Sequence, residues 1–200
     1  MNKIITIGRQ YGSGGKEIGK KLADSLEIPF YDKDYLKEKA KESGICEELF
    51  ENYDEKATSS FLYSLVMDPY TFGRFDMPIP QKVYLSTFDS IRSLAEQGPC
   101  VIVGRCADYV LRERADCLNI FIKAPLEKRV ARICTRLNVD AKTAESTIYK
   151  IDKQRKSYYN FYTSQKWSDS LNYDMVIDSG ILGIAGTVEI LRDFVEKADE

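Results

Sequence analysis

The chain has 200 residues, of which 44% are hydrophobic and 30% are charged, and its formal net charge is −2. This length fits one domain, residues 1–200, with a core large enough to be stable alone, and the composition is typical of soluble globular proteins. No histidine is present, which excludes histidine bases, Ser-His triads and histidine metal sites and leaves carboxylates, lysines and arginines for chemistry.

Hydropathy and cysteine usage indicate the compartment. No stretch approaches the roughly 18 apolar residues of a membrane span, and the opening strand leaves no room for a signal peptide. The five cysteines are odd in number, scattered and without metal-ligand spacing, which is typical of reduced thiols. We therefore expect a cytoplasmic protein with no membrane contact.

The N-terminal segment has the order strand, glycine-rich turn, helix. The β-branched run 4–8 predicts a buried strand, and an amphipathic helix follows the turn to about Leu26. Glycines let backbone amides approach phosphate oxygens, and a helix N-terminus adds partial positive charge. The sequence therefore predicts a phosphate-binding loop made by Arg9, Gly12, Ser13, Gly14, Gly15, Lys16 and Glu17.

Two registers of this loop remain open. The standard pattern is a glycine, four residues and then Gly-Lys-Ser/Thr. If Gly15-Lys16 forms the Gly-Lys pair, Gln10 replaces the first glycine and Glu17 replaces the magnesium-binding hydroxyl; a shift by one residue puts Arg9 at the first glycine. Because Gly15-Lys16 is the only Gly-Lys pair within the loop residues 9–17, we expect Lys16 to carry more of the phosphate charge than Arg9.

A short strand over 28–31 and a helix over 33–43 come next, and the strand ends in Asp32-Lys33-Asp34. Two carboxylates at the end of a strand beside a phosphate loop can bind Mg²⁺ through its waters or accept a substrate hydroxyl. Both are candidates for acceptor binding, and Asp32 is the candidate Mg²⁺ ligand. The alternative for Asp34, which we favour, is a cap on the following helix.

The middle of the chain changes character twice. A short helix is predicted over 47–55, and 57–80 is an irregular insert that we interpret as an acceptor region or a surface for a homo-oligomer. A long helix over 80–97 leads into the apolar run 100–104, which has the form of a central parallel strand. Arg105 follows directly, and its planar guanidinium at the mouth of a pocket suits a phosphate.

The remaining strands and helices alternate. Strands are predicted at 118–122 and 174–178, and helices at 127–136, 141–161 and 187–197. This alternation predicts a parallel sheet covered on both faces, with ligands outside the carboxyl ends of the strands.

The segment 123–166 holds eleven lysines and arginines against four acidic residues, a balance of +7. This predicts a basic helical lid that contacts compact anions rather than long nucleic acid. Arg155 is expected to reach a transferring phosphate with help from Arg132, and Asp152 to orient Arg155, although pairing within the helix is the alternative. The other predicted lid residues are Lys153, Lys156 and Tyr159.

Five segments resemble, in order, the divergent second branch of the cytidylate-kinase-like family of P-loop nucleoside monophosphate kinases. They are Gly8–Gly19, Ile28–Asp32, Val103–Arg105, the helix with Asp152, Arg155 and Tyr158, and Tyr173–Asp178. The resemblance implies a three-layer α/β P-loop kinase fold with a five-stranded parallel sheet in the order 2-3-1-4-5 and a helical lid. It also implies ATP and Mg²⁺ as cofactors, a small-molecule acceptor such as CMP, and contact of Arg105 with the acceptor phosphate. From the loop and the basic segment themselves we expect Lys16, Arg155 and Arg132 to be the catalytic residues.

Two other functions remain open. The Asp-x-Asp at 32–34 is similar to that of shikimate kinases, which phosphorylate a small hydroxylated metabolite. A nucleotide-binding sensor without kinase activity would use the loop to detect phosphate. Consumption of ATP with any acceptor separates an enzyme from a sensor.

Overall fold

Five parallel strands form the centre of the computed structural model, which describes residues 3–42 and 79–199. Their order is β2-β3-β1-β4-β5, and Ile7 of β1 pairs with Val103 of β3 and Ile120 of β4. The predicted order 2-3-1-4-5 is therefore confirmed. The strands are β1 (Ile4–Arg9), β2 (Phe30–Tyr31), β3 (Cys100–Val103), β4 (Cys117–Lys123) and β5 (Met175–Asp178).

Helices connect the strands and cover both faces of the sheet. A 3₁₀ turn, Ser170–Asn172, precedes β5. The helices are α1 (Gly15–Ser25), α2 (Lys33–Glu42), α3 (Ile79–Glu96), α4 (Ala107–Val110), α5 (Leu126–Leu137), α6 (Ala141–Thr163) and α7 (Ser179–Ala198). Within the described ranges, none of them is long and apolar enough to cross a bilayer.

Successive side chains of a strand point to opposite faces, so the buried run in β1 serves two cores. Ile5 packs on one face with Leu22 of α1 and Leu191 of α7. Ile4 packs on the other face with Leu36 of α2 and with α3 and α4. The result is the three-layer arrangement that the alternating pattern predicts.

The last helix begins earlier than its apolar pattern predicts. It starts at Ser179 rather than near residue 187, because the Asp178 carboxylate accepts the amide of Gly180 and caps the new N-terminus. Gly183 has a φ of 69° and interrupts the helix. The predicted helix 47–55 and most of the insert 57–80 lie outside the described residues, although 79–80 already belong to α3.

Candidate functional site

The glycine-rich turn after β1 forms a cradle of backbone amides. Gly12 and Gly14 have φ values of 82° and 83°, a left-handed conformation that favours glycine. The first hydrogen bond of α1 runs from the Ile18 amide to the Gly14 carbonyl at 2.9 Å. The amides of residues 15–17 therefore have no acceptor within the helix and are placed to bind an anion.

Two predicted loop residues contribute backbone rather than side chain to this cradle. The Ser13 hydroxyl is buried and donates to the Gln10 carbonyl at 2.9 Å, which holds the turn closed. The Glu17 side chain is exposed and pairs with Lys21 on the next turn at 3.0 Å.

Helices α5 and α6 hold the loop directly. Asp152 of α6 accepts the Tyr11 amide at 2.7 Å and pairs with Arg129 of α5 at 2.6 Å. Arg132 of α5 donates to the Gly12 carbonyl at 2.7 Å. The basic segment is thus attached to the backbone of the phosphate loop at two successive residues.

The two carboxylate oxygens of Asp152 are engaged by the Tyr11 amide and by Arg129, so its expected role in orienting Arg155 stays a prediction. Arg129 was missed by the sequence reasoning. It is 8% exposed and lies four residues before Ile133, on the buried face of an amphipathic helix. A charged residue at an apolar position is the signal that could have identified it, because buried charges are normally paired.

Arg155 lies where the loop and the lid meet. Its Nη1 donates to the Arg9 carbonyl at 3.1 Å, and its guanidinium carbon lies 5.6 Å from the centre of the Tyr11 ring. Arg136 approaches the same ring at 4.9 Å. Arg155 also lines a cavity at the ends of β1 and β3, together with Arg9 and Arg105.

The other predicted lid residues divide between solvent and interior. The side chains of Lys153 and Lys156 are exposed. Tyr159 is buried, and its hydroxyl donates to Asp108 at 2.6 Å at the edge of the same cavity. Burial raises the pKa of the Asp108 carboxyl and of the Tyr159 hydroxyl. At Asp108 the hydrogen bond from Tyr159 opposes this shift, because it favours the charged carboxylate.

Lys16 and the two carboxylates after β2 form one cluster. The Lys16 ammonium lies 2.7 Å from Asp32 and 2.8 Å from Asp34. These hydrogen bonds, first with Asp32 and then with Asp34, raise the pKa of Lys16. Burial opposes ionisation of Asp32, but Lys16 and the amides of Tyr35 and Asp34 outweigh it, so the pKa of Asp32 is lowered.

The helix cap was assigned to the wrong carboxylate. Asp32, not Asp34, accepts the amides of Asp34 and Tyr35 at 3.0 and 3.2 Å and so caps α2. Asp34 lies in the first turn with its carboxylate exposed and free to share Lys16 with Asp32. The cap orients Asp32, and both carboxylates stay at the edge of the cleft.

Arg105 is 3% exposed and has a φ of 61°, directly after Gly104 at the end of β3. Burial lowers the pKa of Arg105 to about 10, and the nearby positive charge of Arg155 acts in the same direction. A buried cation beside another cation is a site that gains strongly from an anionic ligand.

Asp32 and Asp34 form a carboxylate pair at the edge of the cleft, and no cluster of three or more potential metal ligands occurs in residues 3–42 and 79–199. Mg²⁺ keeps several waters and is usually bound by one or two carboxylates together with substrate phosphates. Asp32 and Asp34 beside the amide cradle match that donor set.

The chain is similar to known proteins along nearly its whole length. The model of the cytidylate kinase-like family matches residues 4–181. A cytidylate kinase from Methanocaldococcus jannaschii is 26% identical over 197 residues, which cover 97% of this chain and 98% of that protein.

Solved structures extend the similarity to the fold. An uncharacterized protein from Eubacterium ventriosum matches with a TM-score of 0.74 and 31% identity, over 97% of this chain and 98% of that one. A shikimate kinase from Bacteroides thetaiotaomicron matches with a TM-score of 0.54 and 13% identity, over 98% and 99% of the two chains. At that identity the second likeness concerns the P-loop kinase fold alone.

Proposed function

The chain belongs to the cytidylate kinase-like family, and we propose that it transfers the γ-phosphoryl group of ATP to a nucleoside monophosphate such as CMP. One observation carries the proposal: Gly15 of the amide cradle lies against Arg9, and Arg9 lines a cavity together with Arg105 and Arg155. A donor polyphosphate and an acceptor phosphate would thus lie side by side. The full-length similarity to an archaeal cytidylate kinase supports CMP as the acceptor.

The loop binds the donor. The first-turn amides of α1 point at the β- and γ-phosphates, and the helix N-terminus favours their charge. Lys16, held by Asp32 and Asp34, would present its charge to these phosphates. The same two carboxylates would hold Mg²⁺ through its waters, and the ion would supply neutralisation of the phosphate charge.

The transfer itself needs little covalent help from the protein. An oxygen of the acceptor phosphate attacks the γ-phosphorus, a new P–O bond forms, and the bond to the β–γ bridging oxygen breaks with its electron pair moving to ADP. Charge spreads over the equatorial oxygens meanwhile, so positioning and electrostatic stabilisation supply the rate. Arg155 and Arg132 lie at the loop and are the residues that we assign to this stabilisation.

An acceptor panel tests the proposed function. The full chain with ATP and Mg²⁺ is incubated with CMP, UMP, AMP, GMP, shikimate or gluconate, and ADP formation is measured. We expect turnover with a pyrimidine monophosphate and a nucleoside diphosphate as product, identified by ³¹P NMR. Turnover with shikimate alone would establish the small-metabolite kinase instead. Binding of ATP without turnover on any acceptor would establish the sensor.

Nucleotide binding should be visible in the backbone of the loop. Titration with a non-hydrolysable ATP analogue is expected to shift the amide resonances of residues 12–16, because those N–H groups are the ones directed at the anion. Amides of the exposed last turn of α7 are the internal reference. Loop resonances that stay in place at saturating nucleotide would show that the donor binds elsewhere.

Lys16→Ala should weaken ATP binding by about 1.5–3 kcal/mol, the range for a hydrogen bond to a charged group. The same change also leaves Asp32 and Asp34 without their shared cation beside a polyphosphate. The measurement is calorimetric titration with ATP and Mg²⁺.

A double variant separates these two effects. If Lys16 binds phosphate directly, Lys16→Ala with Asp34→Asn stays as weak as Lys16→Ala. If its main role is to neutralise the carboxylates, the added Asp34→Asn recovers much of the affinity. Unchanged affinity in Lys16→Ala itself would contradict any role for Lys16 on the donor.

A further inference from the structure

The path of the Arg9 side chain depends on two glycines. A Cβ on Gly104 would overlap Nη1 of Arg9, and a Cβ on Gly15 would lie 2.6 Å from the Cβ of Arg9. Gly104 also has a φ of 83°, which disfavours any other residue. The ends of β1, β3 and the loop are thus built around one arginine, which the phosphate-loop pattern does not require.

The Arg9 side chain leads to a cavity that other arginines also line. Of the described residues that line the cavity at the ends of β1 and β3, three are the arginines Arg9, Arg105 and Arg155, and one is a carboxylate, Asp108. The Asp108 carboxylate accepts the hydroxyl of Tyr159 at 2.6 Å. These described lining residues give the cavity an excess of basic side chains, and a positively charged, partly enclosed space favours an anionic ligand.

The two cations of the loop diverge. Lys16 turns to the end of β2, where Asp32 and Asp34 hold its ammonium. Arg9 turns to the end of β3, against Gly104 and into the cavity with Arg105. Because a guanidinium presents parallel donors that match two phosphate oxygens, the second direction suits a terminal phosphate group.

We propose that Arg9 is a substrate-binding residue that joins Arg105 and Arg155 in a three-arginine site for a phosphate dianion, and that this dianion is the phosphate group of the acceptor. The second half of the proposal rests on the proposed function; the first half does not. Arg9 then links the donor loop to the acceptor, since its backbone belongs to the loop and its side chain reaches the acceptor phosphate.

The chain carries its own reporter for this site. Trp167 is its only tryptophan and lines the same cavity. Titration of the full chain with inorganic phosphate, at fixed pH and ionic strength and with sodium chloride as the reference salt, should give a saturable change in tryptophan fluorescence. Arg9→Gln should raise the dissociation constant for phosphate roughly tenfold or more, as expected for the loss of a hydrogen bond between charged groups.

Three variants sharpen the test. Arg9→Lys keeps the charge without the planar fork and should fall between native and Arg9→Gln. Gly104→Ala should resemble Arg9→Gln, because the new methyl group displaces the guanidinium. Arg92→Gln is the matched control, since Arg92 is exposed and stacks over Phe88 at 4.5 Å on α3. Circular dichroism and urea unfolding verify that each variant is folded.

The outcomes separate the site from the function. Phosphate binding that depends on Arg9 without turnover on any nucleoside monophosphate would support the site and reject the proposed function. Turnover on a monophosphate with the same acceptor KM in Arg9→Gln and native protein would keep the function and overturn the site. A native protein with no saturable response to phosphate, or an Arg9→Gln variant with native affinity, would also overturn it.

Discussion

Asp152→Ala is expected to destabilise the protein by about 3–5 kcal/mol, the usual cost of removing one partner from a buried ion pair. The side chains of Asp152 and Arg129 are only 17% and 9% exposed. The change leaves the Arg129 charge without this carboxylate and the Tyr11 amide without its acceptor at 2.7 Å. Urea unfolding should show a lower midpoint with an unchanged slope.

Matched variants separate the contributions of the ion pair and of the Tyr11 hydrogen bond to the lost stability. Asp152→Asn keeps an oxygen for the Tyr11 amide but not the charge, so it should cost less than Asp152→Ala. Arg129→Leu combined with Asp152→Leu removes both charges, and replacement of a whole buried pair by apolar residues is often neutral or stabilising. The double variant should therefore be more stable than Asp152→Ala. Independent, additive losses at the two positions would show that the pair is not coupled.

The same pair also connects stability to function. Asp152 fixes Tyr11, and Arg132 fixes Gly12, so α5 and α6 both hold the backbone of the loop. If these helices act as the predicted lid, they cannot be displaced at these contacts without releasing the loop backbone. We therefore expect ATP to protect the Arg129–Asp152 contact, and any lid movement to involve parts of α5 and α6 beyond it.

The sheet and most helices followed from the sequence because their signals are local. The continuous apolar run before Gly104 predicts a buried strand, and the helical spacing of the apolar residues in α1 predicts its buried face. The start of α7 was missed for an equally local reason. Gly180, Gly183 and Gly186 lower its helix propensity, and packing against α1 with the Asp178 cap overrides that weak preference.

The site could be predicted only in part. Lys16, Asp32 and Asp34 were predicted as site residues because they stand at a loop and at a strand end, where a parallel sheet places ligands, and the structure brings the three side chains together. The ion-pair partner of Asp152 could not be predicted, because Arg129 lies 23 residues away on another helix. The spacing within α6 indicated Arg155 instead. Long-range pairs leave no periodic signal in a single sequence.

The role of Gly104 could be recognised only from the structure. Gly104 reads in the sequence as the end of a strand, whereas the structure shows that it leaves room for Arg9. Whether Asp32 or Asp34 caps α2 depends on the residue at which the helix begins, and the two possible starts differ by two residues. The strand before the helix is itself only two residues long. Such differences are below the resolution of pattern reasoning.

Arg155→Ala should reduce kcat roughly 100-fold or more while the affinity for ATP changes little, the effect of a donor that acts mainly in the transition state. Arg155 lies at the loop, with Nη1 on the Arg9 carbonyl at 3.1 Å, and lines the cavity beside Arg105. A guanidinium in this position can follow the charge that develops on the transferring phosphoryl group. Steady-state kinetics with CMP, together with ATP titration by tryptophan fluorescence, measure the two quantities separately.

Arg192→Ala is the matched control, because that arginine is exposed on the outer face of α7 and pairs only with its own helix neighbours in the described part of the chain. Arg155→Lys should recover part of the lost rate, and added guanidinium ion should partly rescue Arg155→Ala, since the missing group is a compact planar cation. A kcat close to native would refute this assignment of Arg155.

Arg155 also supports the backbone of Arg9, so its removal has a second possible route of action that must be separated from the first. If Arg155 acts only by holding Arg9 in place, Arg9→Gln and Arg155→Ala should not add, and the double variant should be as slow as the slower single one. If Arg155 also stabilises the transferring group, kcat should fall further in the double variant, and each single change should raise the acceptor KM because both arginines belong to the proposed phosphate site. We expect the second pattern, because the two residues reach the cavity from different elements, β1 and α6, and can each contact a different oxygen of the bound phosphates.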